Sequence, residues 1–138
     1  MANFRYSKGA EAILSGAINL GTSDVAIQLY NNSPIFVFDD THEFKSSITA
    51  DEIGDPVIIT NKEFTDGKMT ADVGAFIPDV DDIVRGLAVY VDTGNSATSN
   101  LLSFINKKED GTNLIIEVQI NEPFSLNWTG PIYSIGGT

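Results

Sequence analysis

The chain has no cysteine, one histidine, one tryptophan, and only eight lysines and arginines against nineteen carboxylates. Each shortage closes a route. Without cysteine there is no disulfide scaffold, no thiol nucleophile and no cysteine-ligated zinc, and the redox compartment stays open. With His42 as the sole imidazole, serine or threonine catalysis has little choice of base, and no G-x-S-x-G elbow supplies an alternative. The scarcity of cations leaves a formal charge of −11, a field that opposes binding to nucleic acid phosphates. No run approaches the roughly 20 apolar residues needed to cross a bilayer. The opening MANFRYSKGAEAILSG also lacks the continuous apolar stretch of a signal peptide. These absences predict a protein with no membrane and no nucleic acid partner, made in the cytoplasm and used without export by its own signal.

What remains is an ordinary globular composition. Of 138 residues, 42% are hydrophobic and 20% charged, enough for one core and too apolar for a disordered chain. The expected organisation is a single β-rich domain over 1–138, with an N-terminal arm (1–6) and a C-terminal arm (124–138). The pattern is centred on Ile83 to Asn106, two strands joined by the polar turn DTGNSATSN. Leu87, Val89 and Val91 fall on one face of the first strand, with Gly86, Ala88 and Tyr90 on the other. Neither face is strongly polar, which predicts a strand covered on both sides by its own chain, or on one side by a neighbouring subunit.

Before this pair, Ser7 can cap a short helix whose apolar positions Ala10, Ile13, Leu14 and Ala17 repeat at helical spacing, with Gly16 or Gly21 to stop it. Val25 to Tyr30 alternates as a half-buried strand, and Ile35 to Phe38 can resume the extended path. Thr41 and Thr49 are placed to start brief helical turns, the second ending before Gly54. Further strands are expected near 56–60, 69–77, 101–106, 114–120 and 126–135. About eight strands in all suit an antiparallel β-sandwich or small barrel with a short N-terminal helix. The tail carries Trp128, Ile132, Tyr133 and Ile135. It reads either as a final edge strand or as an arm that adds a strand to a neighbouring subunit.

Candidates for chemistry are few. His42 stands among Asp39, Asp40 and Glu43, residue types that ligate divalent ions, yet a polar loop opening a helical turn accounts for the same residues. Asp79, Asp81 and Asp82 begin like a calcium loop, but Val84 and Tyr90 occupy the positions where an EF-hand needs glycine and glutamate. Gly94 and Gly111 sit in turns, with no phosphate-binding motif around them. Carboxylate pairs of the glycosidase kind are defined by separation in space, which the sequence does not give. No catalytic residue, no cofactor and no metal site is assigned.

Three pieces in order carry a family resemblance: GAEAILSGAINLGTSDVAIQLY, then DDTHEFKSSI, then GLAVYVDTGNSATSNLLSFI. Together they resemble a widespread class of small tailed-phage virion structural proteins, which show a short helix and first strand, a "THEF" loop, and a strand running into Asp-Thr-Gly. The resemblance spans 1–48 and 83–120; the middle, 49–82, and the tail after Pro123 depart from it. It implies a non-enzymatic virion component: a capsid decoration or cement protein on the head, or a neck or tail accessory. The implied partners are the major capsid protein or other virion proteins and further copies of the chain, a homo-oligomer and a trimer for choice, and the implied location is the capsid surface. Phe4, Tyr6, Ile13 and Leu14 in the N-terminal segment, with Trp128, Ile132, Tyr133 and Ile135 in the tail, are the candidate contact residues. A reading of another class is a β-sandwich module that binds carbohydrate on a host surface by stacking Trp128 and Tyr133 on sugar rings.

Overall fold

A computed structural model describes residues 4–31, 37–108, 110–126 and 130–134. In chain order its elements are β1 (Phe4–Arg5), α1 (Ser7–Leu14), β2 (Val25–Tyr30), a 3-10 helix (Lys45–Ile48), β3 (Glu52–Ile58), β4 (Thr60–Thr65), β5 (Lys68–Asp72), β6 (Ala75–Phe76), β7 (Asp82–Val84), β8 (Gly86–Val91), β9 (Leu101–Ile105), β10 (Ile116–Val118), β11 (Phe124–Ser125) and β12 (Tyr133–Ser134). The protein is mainly β, and every pairing among these strands is antiparallel.

A five-stranded sheet in the order β1-β9-β8-β2-β3 forms the centre, accompanied by the smaller sheets β10-β7, β11-β6 and β12-β5-β4. The register of β2 against β8 places Val25 opposite Val91, Ile27 opposite Val89 and Leu29 opposite Leu87. Those side chains join Met69, Phe76, Val84, Val118 and Tyr133 from the smaller sheets in the principal core. The alternate residues Ala26, Tyr30, Ala88 and Tyr90 point the other way, into a second core with Tyr6, Leu101 and Phe104. All six residues of β2 and all six of β8 are buried. The double coverage expected of β8 is therefore supplied by the chain itself, and β2, expected to be half-buried, is covered on both faces as well. Burying one large apolar side chain contributes about 1.5–3 kcal/mol, so this two-sided centre holds the other elements in place.

Several expectations are corrected by long-range pairing. The strand expected from 83 onward is two strands: β7 pairs with β10, β8 with β2 and β9, and between them the Arg85 N–H donates to the Tyr30 carbonyl at 2.9 Å. The chain crosses from one sheet to another there, so a single apolar run serves two layers. The helical turn expected after Thr49 is instead the start of β3. Asp51 adopts φ 64°, its carbonyl accepts the Asn31 N–H at 2.9 Å, and Glu52 pairs with Tyr30. Pairing with a buried strand outweighs the weak local signal of a cap and two acids. Of the strand expected at 35–38, residues 35 and 36 lie outside the described residues, and Val37 and Phe38 belong to no strand. The long alternation at 114–120 forms only the three-residue β10.

The β2–β3 register slips between Ile27 and Leu29, leaving Gly54, Asp55 and Pro56 as a bulge. Proline is tolerated in such a place because its missing N–H breaks no ladder bond. Buried Gln28 closes the gap: its Nε2 donates to the carbonyls of Ile53 at 3.2 Å and Gly54 at 2.9 Å. Gly54 has φ +64°, and a Cβ there would lie 2.7 Å from the Ile77 carbonyl oxygen, so glycine lets the bulge seat against the segment before β7.

Candidate interaction surfaces

Helix α1 is short and docks through its smallest residue. Gly9 is its one fully buried position, packed on the backbone of β9, while Ala12 and Ile13 lie half-buried against the principal core. The apolar stripe expected on Ala10, Ile13, Leu14 and Ala17 is thus rotated: Leu14 is 73% exposed and Ala17 is also exposed. The helix ends as expected at Gly16, which takes φ +84°. Beyond it the chain turns back, burying Ile18 and Leu20.

Between the end of α1 and the β4–β5 hairpin lies an open groove of about 450 Å³, lined mainly by Ile13, Gly16, Ile18, Leu20 and Phe64. Phe64 is half exposed there. Lys8 and Glu11 pair at 3.6 Å along the helix, and Lys62 Nζ donates to the carbonyls of Leu20, at 2.6 Å, and of Ser23. Phe64 escapes the sequence reading, which expects strands near 56–60 and 69–77 and none between them. The available signal is Asp66-Gly67, whose positive φ values of 54° and 74° make the tight hairpin turn that carries Phe64 into β4.

The other candidate contact residues are placed differently. Phe4 is half-buried and stacks on Phe38 with ring centroids 4.8 Å apart. Tyr6 is fully buried, 4.9 Å from the same ring. Ile132 and Tyr133 are buried in the principal core. These last three are covered by the chain's own residues, so a partner would meet Ile13 and Leu14 before it met them. Trp128 and Ile135 lie outside the described residues. Tyr133 pairs with Met69 across β12 and β5, placing that part of the tail as an edge strand of its own sheet.

The second core holds the most concentrated polar chemistry. Lys45 is buried, with Nζ 5.7 Å from the Tyr30 ring centroid and 5.3 Å from that of Tyr90, and pairs with Glu52. The cation is balanced by one carboxylate and two ring faces. The Tyr30 hydroxyl donates to the Ile48 carbonyl at 2.6 Å, fixing the 3-10 helix over the sheet. Burial, reinforced by nearby carboxylates, holds the phenols of Tyr6, Tyr30 and Tyr90 protonated well above the ordinary tyrosine range. A ring-lined interior whose one cation is paired builds a fold; none of these phenols is poised to exchange a proton near neutrality.

The acidic candidates serve the backbone. Asp39 accepts the N–H and hydroxyl of Thr41, at 2.9 and 2.6 Å, bonds that hold its carboxyl below the usual range, and His42 Nε2 is 3.6 Å away. Asp79 accepts the Gly54 N–H, Asp81 the Ile120 N–H, and Asp82 the Ile83 N–H, at 2.8–2.9 Å. Among the described residues no three carboxylate or imidazole groups converge as a metal site. Comparison with family models, with curated proteins and with solved structures found no match to this chain.

Proposed function

We propose that this chain is a non-enzymatic structural protein of a tailed-phage particle, a capsid decoration or cement subunit that binds the assembled head and stabilises it. The sequence resemblance gives the class. The observation that carries the reading is the groove at Ile13, Ile18, Leu20 and Phe64, beside an uncovered Leu14, on a chain of charge −11. Elsewhere an acidic surface keeps copies apart and soluble; the lining of this groove carries no charged side chain, so apolar burial there can drive adhesion without desolvating one. Filling the groove from a shell subunit or a further copy would add roughly 1.5–3 kcal/mol for each large side chain buried. Its partners on this reading are the major capsid protein and other copies of itself, with a trimer matching a symmetry axis of the shell.

The test is to purify particles and locate the protein by mass spectrometry and cryo-electron microscopy. Many copies on the head, with Leu14 and Phe64 at a contact, are expected; a ring at the neck would move the protein to the accessory role, and absence from particles would end the reading. Leu14→Asp with Phe64→Ser should leave a folded protein that no longer adheres.

A further inference from the structure

Segments 77–83 and 115–122 run side by side as a ribbon remote in sequence from the groove. β7 and β10 pair in register, the Asn121 N–H donates to the Pro78 carbonyl at 2.9 Å, and the Ile120 N–H donates to Asp81 at 2.8 Å. This ribbon leaves Ile77, Val80, Ile115 and Ile120 between 41% and 53% exposed. It also carries Asp79, Asp81, Asp82, Glu117 and Glu122 with no lysine or arginine. A groove of about 420 Å³ along it is walled by Asp81, Asp82 and Glu117, with Ile83 and Val118 between them.

We infer that this ribbon is a docking surface for a protein segment that presents lysine or arginine side chains between apolar ones. Covering the exposed isoleucines and valine also strips water from the neighbouring carboxylates, at a cost that only facing cations offset. A second copy of the chain meets the ribbon with five more carboxylates if it docks by the same face, and nucleic acid meets it with phosphates; both are repelled. A bare divalent ion gains little, because Asp79, Asp81 and Asp82 already accept backbone N–H groups and do not converge. The cationic, apolar segment satisfies both halves of the surface at once. The inference stands apart from the virion reading, since it concerns a different set of residues and names the partner by chemistry alone.

The probe is a random twelve-residue peptide library selected against the full chain. Hydrogen exchange then maps where the enriched peptides bind. Peptides with cations spaced between apolar residues should be enriched and should protect 77–83 and 115–122. Binding should fall about tenfold or more for Val80→Ser with Ile120→Ser, and by a similar factor for Asp81→Asn with Glu117→Gln. The amide introduced by Asp81→Asn keeps an acceptor oxygen for the Ile120 N–H, and Val80 and Ile120 are exposed, so these variants should fold; circular dichroism checks that they do. Added salt should weaken binding. Enriched peptides without cations, protection centred on Ile13 to Leu20, equal binding to the variants, or no enrichment would each overturn the inference.

Discussion

Asp40 caps helix α1 from 33 residues away: its carboxylate accepts the Ser7 N–H at 2.9 Å and the Ser7 hydroxyl at 2.6 Å. Ser7, expected from sequence to be the cap, is the first helical residue, and the residue in the cap position, Tyr6, has no side-chain cap bond. The loop before the 3-10 helix and the N-terminal helix are thereby held to each other.

These two bonds, the hydroxyl's first, hold the Asp40 carboxyl below the usual carboxylate range. A folded-state value lower than the unfolded one means that the stabilisation is complete above the unfolded value, near 4, and is lost as pH falls through the folded value. Asp40→Ala should cost about 1 kcal/mol at neutral pH, the usual worth of a helix cap. Urea melts at pH 7 and at pH 2.5 should show the gap between wild type and variant narrowing in acid; a gap independent of pH would contradict the assignment.

Gly9→Ala sets local propensity against packing. In an exposed helix the change stabilises by about 1 kcal/mol. Here the new Cβ would sit 2.1 Å from the Leu101 carbonyl oxygen, a backbone atom that cannot swing aside. Overpacking costs of about 1–3 kcal/mol, and more against backbone, should dominate. The variant should therefore melt well below wild type, with the loss of contact between α1 and β9 visible as faster hydrogen exchange in both.

Gln28→Leu keeps the volume of a buried side chain and removes the donor that fills the β3 bulge. The carbonyls of Ile53 and Gly54 would lose that partner, at about 1–3 kcal/mol. Denaturant midpoints should fall accordingly, whereas an unchanged midpoint would show that water satisfies the bulge.

The chain has four tyrosines, and burial raises all of them; at Tyr133 the nearby Arg5 offsets part of the effect. For such a group the stabilisation is present below the unfolded value, near 10, and is lost as pH rises above it. Absorbance at 295 nm should therefore show no phenolate step near pH 10 while the fold persists. Phenolate should instead appear together with loss of the circular dichroism signal. A separate midpoint near 10 in the folded protein would mean that at least one ring is solvated.

Period-two alternation was legible wherever both members of a pair of strands were apolar. Val25 to Tyr30 and Gly86 to Val91 could be read directly as strands, because a short, mostly apolar run bounded by turns has few alternatives, whereas the burial of the β2 face that carries Gln28 could not. The turns at Gly94 and Gly111, both at φ +86°, were legible for a similar reason, since few residues accept left-handed backbone. The candidate surface was half legible. Ile13 and Leu14 could be named from helical spacing, but which of them faces outward depended on Gly9 meeting Leu101, a contact between residues far apart in the chain.

The amino-acid sequence by itself determined the β class, the acidic surface, the helix near the N-terminus and the positions of its tight turns. All of these follow from composition or from neighbours within a few residues. Tertiary structure decided where the apolar run from Ile83 divides between two sheets, that Glu52 to Ile58 is a strand, that Tyr6 and Tyr133 lie inside, and that Ile13 and Phe64 line one groove. Those outcomes depend on which distant backbone groups find partners, and the cost of leaving a buried N–H or carbonyl unpaired, about 1–3 kcal/mol each, exceeds most local preferences.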